Sequence, residues 1–174
     1  MKLDYEVSEI SFEDARPIIQ NNNDKEDIYG LDHPYPQSII HDCYGLLNNN
    51  QLVGAVQFCS YVPSPNPKYH EWVKEYFGCH TDTCEGFYEL ARLAVEPQDE
   101  HNITSWFLSR AIKLLNPKVL ITAAEEDKGG TIYKATNFDY YGLQYDRDFY
   151  EPDKPFHTYL KIFDKSIQCE WKKT

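Results

Sequence analysis

The alternation of apolar and polar positions predicts a regular succession of elements in the middle of the chain. Residues 87–95 have the short, β-rich character of a buried strand, and residues 104–115 carry apolar side chains at helical spacing. The Asn-Pro pair at 116–117 ends this helix, because proline disfavours helical angles in the residue before it. An apolar run at 118–124 and a short helix at 131–138 follow. Strand, helix, strand and helix in this order predict parallel strands joined by a right-handed crossover.

Weaker patterns on both sides complete the predicted sheet. Residues 3–10 alternate in part and predict an edge strand, after which Ser11 is a helix N-cap and Pro17 limits or kinks the helix. The other predicted elements are a hairpin at 43–47 and 52–58 and two last strands at 143–145 and 156–163. These helices and strands together predict a mixed α/β (α+β) fold. Because 174 residues are typical of one domain, we expect a single domain of residues 1–174.

Composition bears on where the protein works. The five cysteines are odd in number and irregularly spaced, and the first residues lead straight into mixed polar sequence rather than a signal peptide. This pattern favours a reduced protein in the cytoplasm. No apolar run approaches the roughly 20 residues that a membrane-spanning helix needs, so we expect no membrane partner.

The charge is unevenly distributed along the chain. The formal net charge is -11, which disfavours polyanions at long range. Residues 101–138 nevertheless carry five bases and three acids, a net charge of +2, which leaves -13 for the remainder. An anionic cofactor is therefore least disfavoured in the segment that contains the central helix.

Four segments resemble a known family in sequence and in order. They read E-L-A-R-L-A-V at 89–95, N-I-T-S-W-F-L-S-R at 102–110, V-L-I-T-A-A-E at 119–125 and G-T-I-Y-K-A-T-N-F-D-Y-Y-G at 130–142. Their succession resembles the GNAT acyltransferase superfamily, and more specifically the Mom-type proteins of bacteriophages, GNAT-related enzymes that modify adenine in phage DNA. The resemblance implies a GNAT-like twisted mixed sheet flanked by helices, with acetyl-CoA or a related acyl donor as cofactor.

The resemblance also implies where the donor binds. GNAT proteins hold the donor pyrophosphate on backbone amides at the start of the central helix, where the helix dipole favours anions. This chain lacks the usual glycine-rich signature there and offers amides and hydroxyls at 102–105 instead. By resemblance, the donor-binding residues are Leu93, Val95, Asn102, Thr104, Ser105 and Asn137. The alternative is an ordinary helix start without a ligand.

Two residues match catalytic positions of the family. Tyr133 corresponds to a tyrosine that protonates the departing thiolate, a step for which a phenol is a suitable acid. The alternative is a packing residue, since the chain contains 14 tyrosines. Arg92 corresponds to an active-site arginine. Its alternatives are an ion pair with Glu89 or Glu125, or a solvated position on the outer face of its strand.

A carboxylate and two loop residues complete the candidate set. Glu125 ends the second strand of the central unit and, by resemblance, replaces an aspartate of the Mom-type pattern. The alternatives are that Glu126 or Asp127 takes this role, or that all three form a solvated acidic turn. His33 and Tyr35 correspond to an adjacent histidine and tyrosine, separated here by Pro34. With Glu125 they form a possible iron site, or His33 is the base that acts on a target amine, or both are surface residues.

A second metal hypothesis is weaker. His70, Cys79, His80 and Cys84 are close in sequence, but their spacing lacks the paired short intervals of structural zinc sites. We therefore do not predict a zinc site from the sequence.

Three functions remain open at this point. The first is a phage-type enzyme that adds a small acyl-derived group, of carbamoylmethyl type, to the exocyclic amine of adenine in DNA and so protects that DNA from restriction. The second is an acyl-CoA-dependent N-acyltransferase that acts on a small amine, an aminoacyl group or a protein. The third is a non-catalytic acidic binding protein. The first predicts DNA as substrate, with a monomer or a homodimer as the active form.

Overall fold

The computed structural model describes residues 4–22, 39–61, 77–80, 85–125, 130–145 and 155–171. The elements in these residues are, in chain order, β1 (Tyr5–Ile10), α1 (Phe12–Asn22), β2 (Ile39–Asn48), β3 (Gln51–Tyr61), β4 (Cys79–His80), β5 (Phe87–Val95), α2 (Ile103–Leu115), β6 (Val119–Glu125), α3 (Thr131–Ala135), β7 (Asp139–Tyr145), β8 (Pro155–Ile162) and β9 (Gln168–Cys169).

Helices flank a seven-stranded sheet, which confirms the predicted mixed α/β fold class. The strand order is β1-β2-β3-β5-β6-β8-β7, and β4 and β9 form a separate two-stranded sheet. The chain divides into two compact units, of which the first comprises Met1–Ser60 and Glu89–Asn116 and the second Tyr61–Tyr88 and Pro117–Thr174.

The first unit packs α1 against the N-terminal strands. β1 and β2 are antiparallel, in a register that runs from Tyr5 opposite Asn48 to Ile10 opposite Cys43. Ala15 and Ile19 of α1 are buried and form an apolar cluster with Cys43 and Ala55. Ala15 and Ile19 are four residues apart, so they lie on one face of α1 and pack together against Cys43 and Ala55.

The start of α1 is as predicted, and of the two effects expected of Pro17, a limit to the helix is not observed. The Ser11 hydroxyl accepts a hydrogen bond from the Asp14 amide at 3.0 Å, as expected of an N-cap. Pro17 does not limit the helix, which continues to Asn22. Pro17 is the sixth residue of α1, so its missing N–H costs the one helical hydrogen bond that would go to the Glu13 carbonyl. The burial of Ile19 beyond it favours continuation.

The predicted hairpin is present and its turn is formed by asparagines. β2 and β3 are connected at Asn49 and Asn50, which have φ angles of 49° and 64°. Two successive residues with positive φ are characteristic of the type I′ turn, whose twist matches that of the adjoining strands.

The second unit is built on β8. This strand is antiparallel to β6 and to β7, and Tyr140 lies opposite Tyr159 in the β7–β8 pair. The β7 register shifts between Tyr140 and Leu143. The β4–β9 pair, in which Cys79 lies opposite Cys169, was not predicted, because strands of two residues have no detectable alternation.

The predicted helix at 131–138 is too long. α3 ends at Ala135, and β7 begins at Asp139 rather than at the predicted position 143. The Thr136 hydroxyl donates to the Ile132 carbonyl at 2.9 Å, and Asn137 then takes a φ angle of 60°. A left-handed residue ends a helix, so the chain turns into the next strand four residues early.

Candidate functional site

The start of α2, in the first unit, has the backbone geometry of an anion site. Asn102 precedes the helix with a φ angle of 64°, and its side chain makes no capping hydrogen bond to the first amides. The Ser105 hydroxyl donates to the Asn102 carbonyl at 3.0 Å, which leaves the amides of the first turn to other acceptors. The first turn contains no acidic residue. A helix start of this kind favours an anion.

β5 carries the predicted residues Arg92, Leu93 and Val95. All three side chains are half-buried. The Arg92 Nη1 donates to the Ala91 carbonyl at 2.7 Å, so the guanidinium folds back along its own strand. Glu89, on the same strand, is buried with 8% of its surface exposed. Arg92 is therefore neither fully buried nor on a fully solvated face.

A polar cluster that the sequence analysis did not identify lies on β2 and β3. The His41 Nδ1 lies 2.9 Å from the Gln57 Nε2 and 3.4 Å from the Cys59 Sγ. Phe12 of α1 stacks on the His41 ring, with centroids 5.0 Å apart. Gln57 and Cys59 are completely buried. A glutamine among the apolar residues of 53–59 is the sequence signal that indicates this cluster.

The electrostatics of this cluster keep its groups neutral. Burial lowers the pKa of His41, against an opposing effect of Asp42. Burial raises the pKa of Cys59 well above its usual range, as does the negative charge of Glu89, whereas Arg92 lowers it. Cys59 is therefore a protonated thiol at neutral pH and a poor nucleophile. Arg92 is close enough for its positive charge to oppose this rise in the pKa of the Cys59 thiol.

The second unit presents Tyr133 on α3. Gly130 precedes the helix with a φ angle of 58°, and a Cβ atom at this position would overlap the Tyr159 ring. The ring centroid of Tyr133 lies 5.3 Å from that of Tyr159 and 5.8 Å from that of Phe138. The Tyr133 residue as a whole is half-buried.

Two more aromatic residues adjoin this group. The Tyr140 ring lies 5.3 Å from Tyr159, and the Tyr140 hydroxyl lies 2.8 Å from the His157 Nδ1. Tyr159 is 1% exposed. Burial raises the pKa of Tyr159, and the neighbouring Tyr140 and Tyr133 act in the same direction. Three phenols and an imidazole thus form one aromatic cluster, consisting of Tyr133, Tyr140, His157 and Tyr159.

Lys161 holds the other end of α3. Its Nζ donates to the Thr136 carbonyl at 2.7 Å and lies 5.6 Å from the Phe138 ring centroid. Asn137, a predicted donor-binding residue, is exposed in the adjoining turn, where it donates its amide to the Lys134 carbonyl at 3.1 Å. Its observed role is to end the helix, and its role towards a donor stays a prediction.

Other predicted residues lie outside what the structure describes. His33 and Tyr35 are among residues 23–38, and for Glu125 only the backbone, at the end of β6, is described. The iron site therefore stays a prediction. Within the described side chains, no three His, Cys, Asp or Glu residues come together as metal ligands. Of the weak zinc set, Cys79 lies opposite Cys169, while His70 and Cys84 lie outside the described residues.

The sequence comparison decides the family. Residues 4–173 match the Mom protein family, which is nearly the whole chain. The chain belongs to the Mom protein family. No curated protein matches the sequence. The resemblance noted in the four segments between residues 89 and 142 is thereby confirmed.

The solved structures similar to this Mom family member are GNAT acetyltransferases. One is a Bacillus subtilis acetyltransferase in complex with CoA, with a TM-score of 0.56, 12% identity, and coverage of 93% of this chain and 99% of that one. A GNAT family acetyltransferase from Elizabethkingia anophelis with acetyl-CoA bound has a TM-score of 0.59, 11% identity, and coverage of 93% and 100%. The ribosomal-protein-S5-alanine acetyltransferase from Vibrio fischeri has a TM-score of 0.58, 13% identity, and coverage of 99% and 97%.

These likenesses establish a GNAT fold for this Mom family member. Among the described residues, no helix combines the length and apolar character needed to span a bilayer.

Proposed function

We propose that this protein is an acyl-CoA-dependent transferase that modifies the exocyclic amine of adenine in DNA. The added group is small and acyl-derived, is joined to the amine nitrogen through its carbonyl carbon as an amide, and protects the DNA from restriction. The observation that carries the proposal is the match to the Mom protein family over residues 4–173. We further propose that the protein is phage-encoded and acts in the host cytoplasm.

The start of α2 supports donor binding. Its first-turn amides make no capping hydrogen bond to the Asn102 side chain, and Asn102 provides the left-handed geometry that a glycine often supplies at such a site. In our proposal these amides, together with the hydroxyls of Thr104 and Ser105, bind the donor pyrophosphate. The backbone of β5 at Leu93 and Val95 then binds the chain that leads to the thioester.

The reaction begins when the amine nitrogen attacks the carbonyl carbon of the thioester. The carbon–sulfur bond then breaks, the amine loses a proton to solvent or to a base, and the departing sulfur takes a proton. In our proposal Tyr133 supplies this second proton from its phenol. The products are the modified amine and a free thiol, so no proton is gained or lost overall.

Arg92 is proposed to stabilise negative charge. Its guanidinium is half-buried and acts on the buried Cys59 thiol, so its field is only partly screened by water. A preorganised cation of this kind stabilises an oxygen that becomes negative in a transition state. His33 and Glu125 are retained as the proposed base and polar partner, on the family resemblance alone.

Access to the amine requires a change in the DNA. The exocyclic amine of adenine lies inside the duplex stack, so the enzyme must flip the base or act on unpaired DNA. Both routes favour aromatic side chains as stacking surfaces. Tyr140 is a half-buried ring in the described part of the second unit and is a candidate for this role.

A second candidate function is N-acylation of a small amine, an aminoacyl group or a protein. The net charge of -11 favours it, because phosphate contacts dominate the affinity of proteins for DNA. This alternative uses the same donor site and the same acid, and it differs only in the acceptor.

The test is the nucleoside content of DNA from cells that contain the protein. We would express it in bacteria and infect the native host, digest each DNA to nucleosides, and search by mass spectrometry for a modified deoxyadenosine. Tyr133→Phe and Glu125→Gln are matched controls, because both change chemistry with little change in volume. We expect a new nucleoside with the active protein only, and its mass identifies the transferred group.

Two outcomes would contradict the proposal. Unmodified DNA from an infected native host that contains abundant protein would exclude DNA as the substrate. An acylated small amine or protein in the same cells would then establish the alternative.

A further inference from the structure

We propose that Tyr159 and the hydrogen-bonded pair Tyr140–His157 are positioning residues that set the orientation of the Tyr133 phenol. The inference rests on the proposed function only in so far as Tyr133 is the acid there. The comparisons assign no role to these three residues, and the proposed function gives a role only to Tyr140, as a stacking surface. All of them lie in the second unit, on the strands next to α3.

The length of α3 is the first reason. It contains five residues, Thr131–Ala135. Isolated helices of fewer than about 12 residues are marginal in water, because nucleation is unfavourable and few hydrogen bonds repay it. α3 therefore cannot fix the direction of Tyr133 by itself. Tertiary contacts must do so.

The contacts at its beginning are made by Tyr159. A side chain at Gly130 would overlap the Tyr159 ring, so the chain entering α3 passes directly over that ring. The Tyr133 ring lies 5.3 Å from Tyr159, tilted by 48°. Tyr159 is 1% exposed, so its position is set by the residues packed around it, and Tyr140 is one of them.

Alternation along β8 places the supports in one row. His157, Tyr159 and Lys161 are two apart and so point to the same face of the sheet. Lys161 bonds the Thr136 carbonyl at the end of α3, and Tyr159 contacts its start. The row therefore holds α3 at both ends, with Tyr133 between them.

The Tyr140–His157 pair holds Tyr159 from the other side. Tyr140 lies opposite Tyr159 in the sheet, with ring centroids 5.3 Å apart. The register shift after Tyr140 brings its hydroxyl within 2.8 Å of the His157 Nδ1. A neutral imidazole without a hydrogen on Nδ1 accepts from the phenol, which fixes the Tyr140 ring. Loss of this bond frees Tyr140 and, through Tyr159, loosens Tyr133.

Matched variants of His157 test this bond. His157→Asn places an oxygen near the position of Nδ1, whereas His157→Leu has a similar volume and no acceptor. With acetyl-CoA and plasmid DNA as probes, we expect His157→Leu and Tyr140→Phe each to lower kcat for thiol release about tenfold, with KM for acetyl-CoA unchanged. His157→Asn should restore most of the rate. The double variant should lose no more than either single one, because both remove the same interaction.

A spectroscopic readout separates this inference from the proposed function. Protein labelled with 3-fluorotyrosine gives a fluorine resonance for Tyr133, assigned by its loss in Tyr133→Phe. We expect this resonance to shift or broaden in His157→Leu and to keep its native position in His157→Asn. Tyr141→Phe is the control, because it removes the neighbouring phenol of β7, which packs on Trp171 instead.

The activity assay and the fluorine spectra test different parts of the proposals. If Tyr133→Phe is fully active, the acid assignment in the proposed function is wrong, while the fluorine spectra still decide the positioning of the ring. An unchanged Tyr133 resonance in folded His157→Leu and Tyr159→Leu proteins would overturn the inference. An equal loss of kcat in His157→Asn and His157→Leu would overturn it as well.

Discussion

Five asparagines adopt left-handed backbone angles, and they account for every non-glycine residue with positive φ in the described ranges (Asn49, Asn50, Asn102, Asn116 and Asn137). Asparagine tolerates this region because its short polar side chain bonds to nearby backbone. At Asn102 this matters for function. The loop lacks the usual glycine-rich signature, yet its backbone reaches the left-handed conformation with asparagine.

Residues of the candidate site were predictable to different degrees. Tyr133 and Arg92 were found because they lie within segments that resemble the family. His41, Gln57, His157 and Tyr159 were missed, because each depends on partners that are distant in sequence. The sequence contained two weak signals for them. Gln57 lies in an otherwise apolar strand, and His157 lies two residues before Tyr159, on the same face of its strand. Strand register determines which of the fourteen tyrosines lie together, and no local sequence pattern reveals that register.

Tyr133→Phe tests the most specific of these assignments. Phenylalanine keeps the ring contacts with Tyr159 and Phe138 and removes only the acidic hydroxyl. We expect an activity loss of at least about tenfold, roughly 1.4 kcal/mol in transition-state stabilisation. Thermal unfolding should be nearly unchanged. Initial rates of thiol release and a melting curve measure the two effects.

Tyr141, on β7, provides the control for that loss. Tyr141→Phe removes a phenol from β7, where burial raises its pKa to about 12 and Cys169 adds to the effect. Its activity should match that of the native protein. Equal losses in Tyr133→Phe and Tyr141→Phe would indicate a general loosening of the second unit rather than the loss of an acid.

At the scale of elements, long periodic segments were predicted well and short ones were not. β5 was predicted without error and α2 to within one residue, because both bury one apolar face against the fold. The boundary between α3 and β7 was misplaced, because two local features decide it, the Thr136 back-bond to Ile132 and the left-handed Asn137. The β4–β9 pair is too short for any period to reveal.

Ser105→Asp tests α2 as the donor site. A carboxylate in the first turn interacts favourably with the helix dipole, so the helix should be as stable as before or slightly more stable. The same charge repels a bound pyrophosphate and occupies the free amides. We expect CoA binding to be lost in titration calorimetry while the melting temperature stays equal or rises. Weaker CoA binding together with an equal or higher melting temperature distinguishes charge repulsion from unfolding, which would lower both.

Ser105→Ala is the matched variant for this test. It removes the hydroxyl that bonds the Asn102 carbonyl but introduces no charge. We expect CoA affinity to fall by a few fold at most, because the backbone amides remain. CoA affinity unchanged in Ser105→Asp would place the donor elsewhere, whatever the acceptor of the reaction.

At the scale of the whole molecule, net charge opposes the proposed substrate. A charge of -11 repels DNA, so binding must rely on a local face that differs from the average. Residues 101–138, with net charge +2, are the least acidic long segment and contain α2. The protein therefore combines weak long-range repulsion of polyanions with one segment where anions are tolerated.

This combination predicts opposite effects of salt on stability and on DNA modification. Raising the ionic strength from about 0.01 M to about 0.15 M shortens the Debye length from about 30 Å to about 8 Å. Self-repulsion among the acidic residues is then screened, so the melting temperature should rise. KM for plasmid DNA should rise too, because each phosphate contact contributes a slope of about -0.9 in log affinity against log salt. KM for a neutral small amine should not change. A salt-independent KM for DNA, or efficient turnover of the small amine alone, would assign the enzyme to the second candidate function.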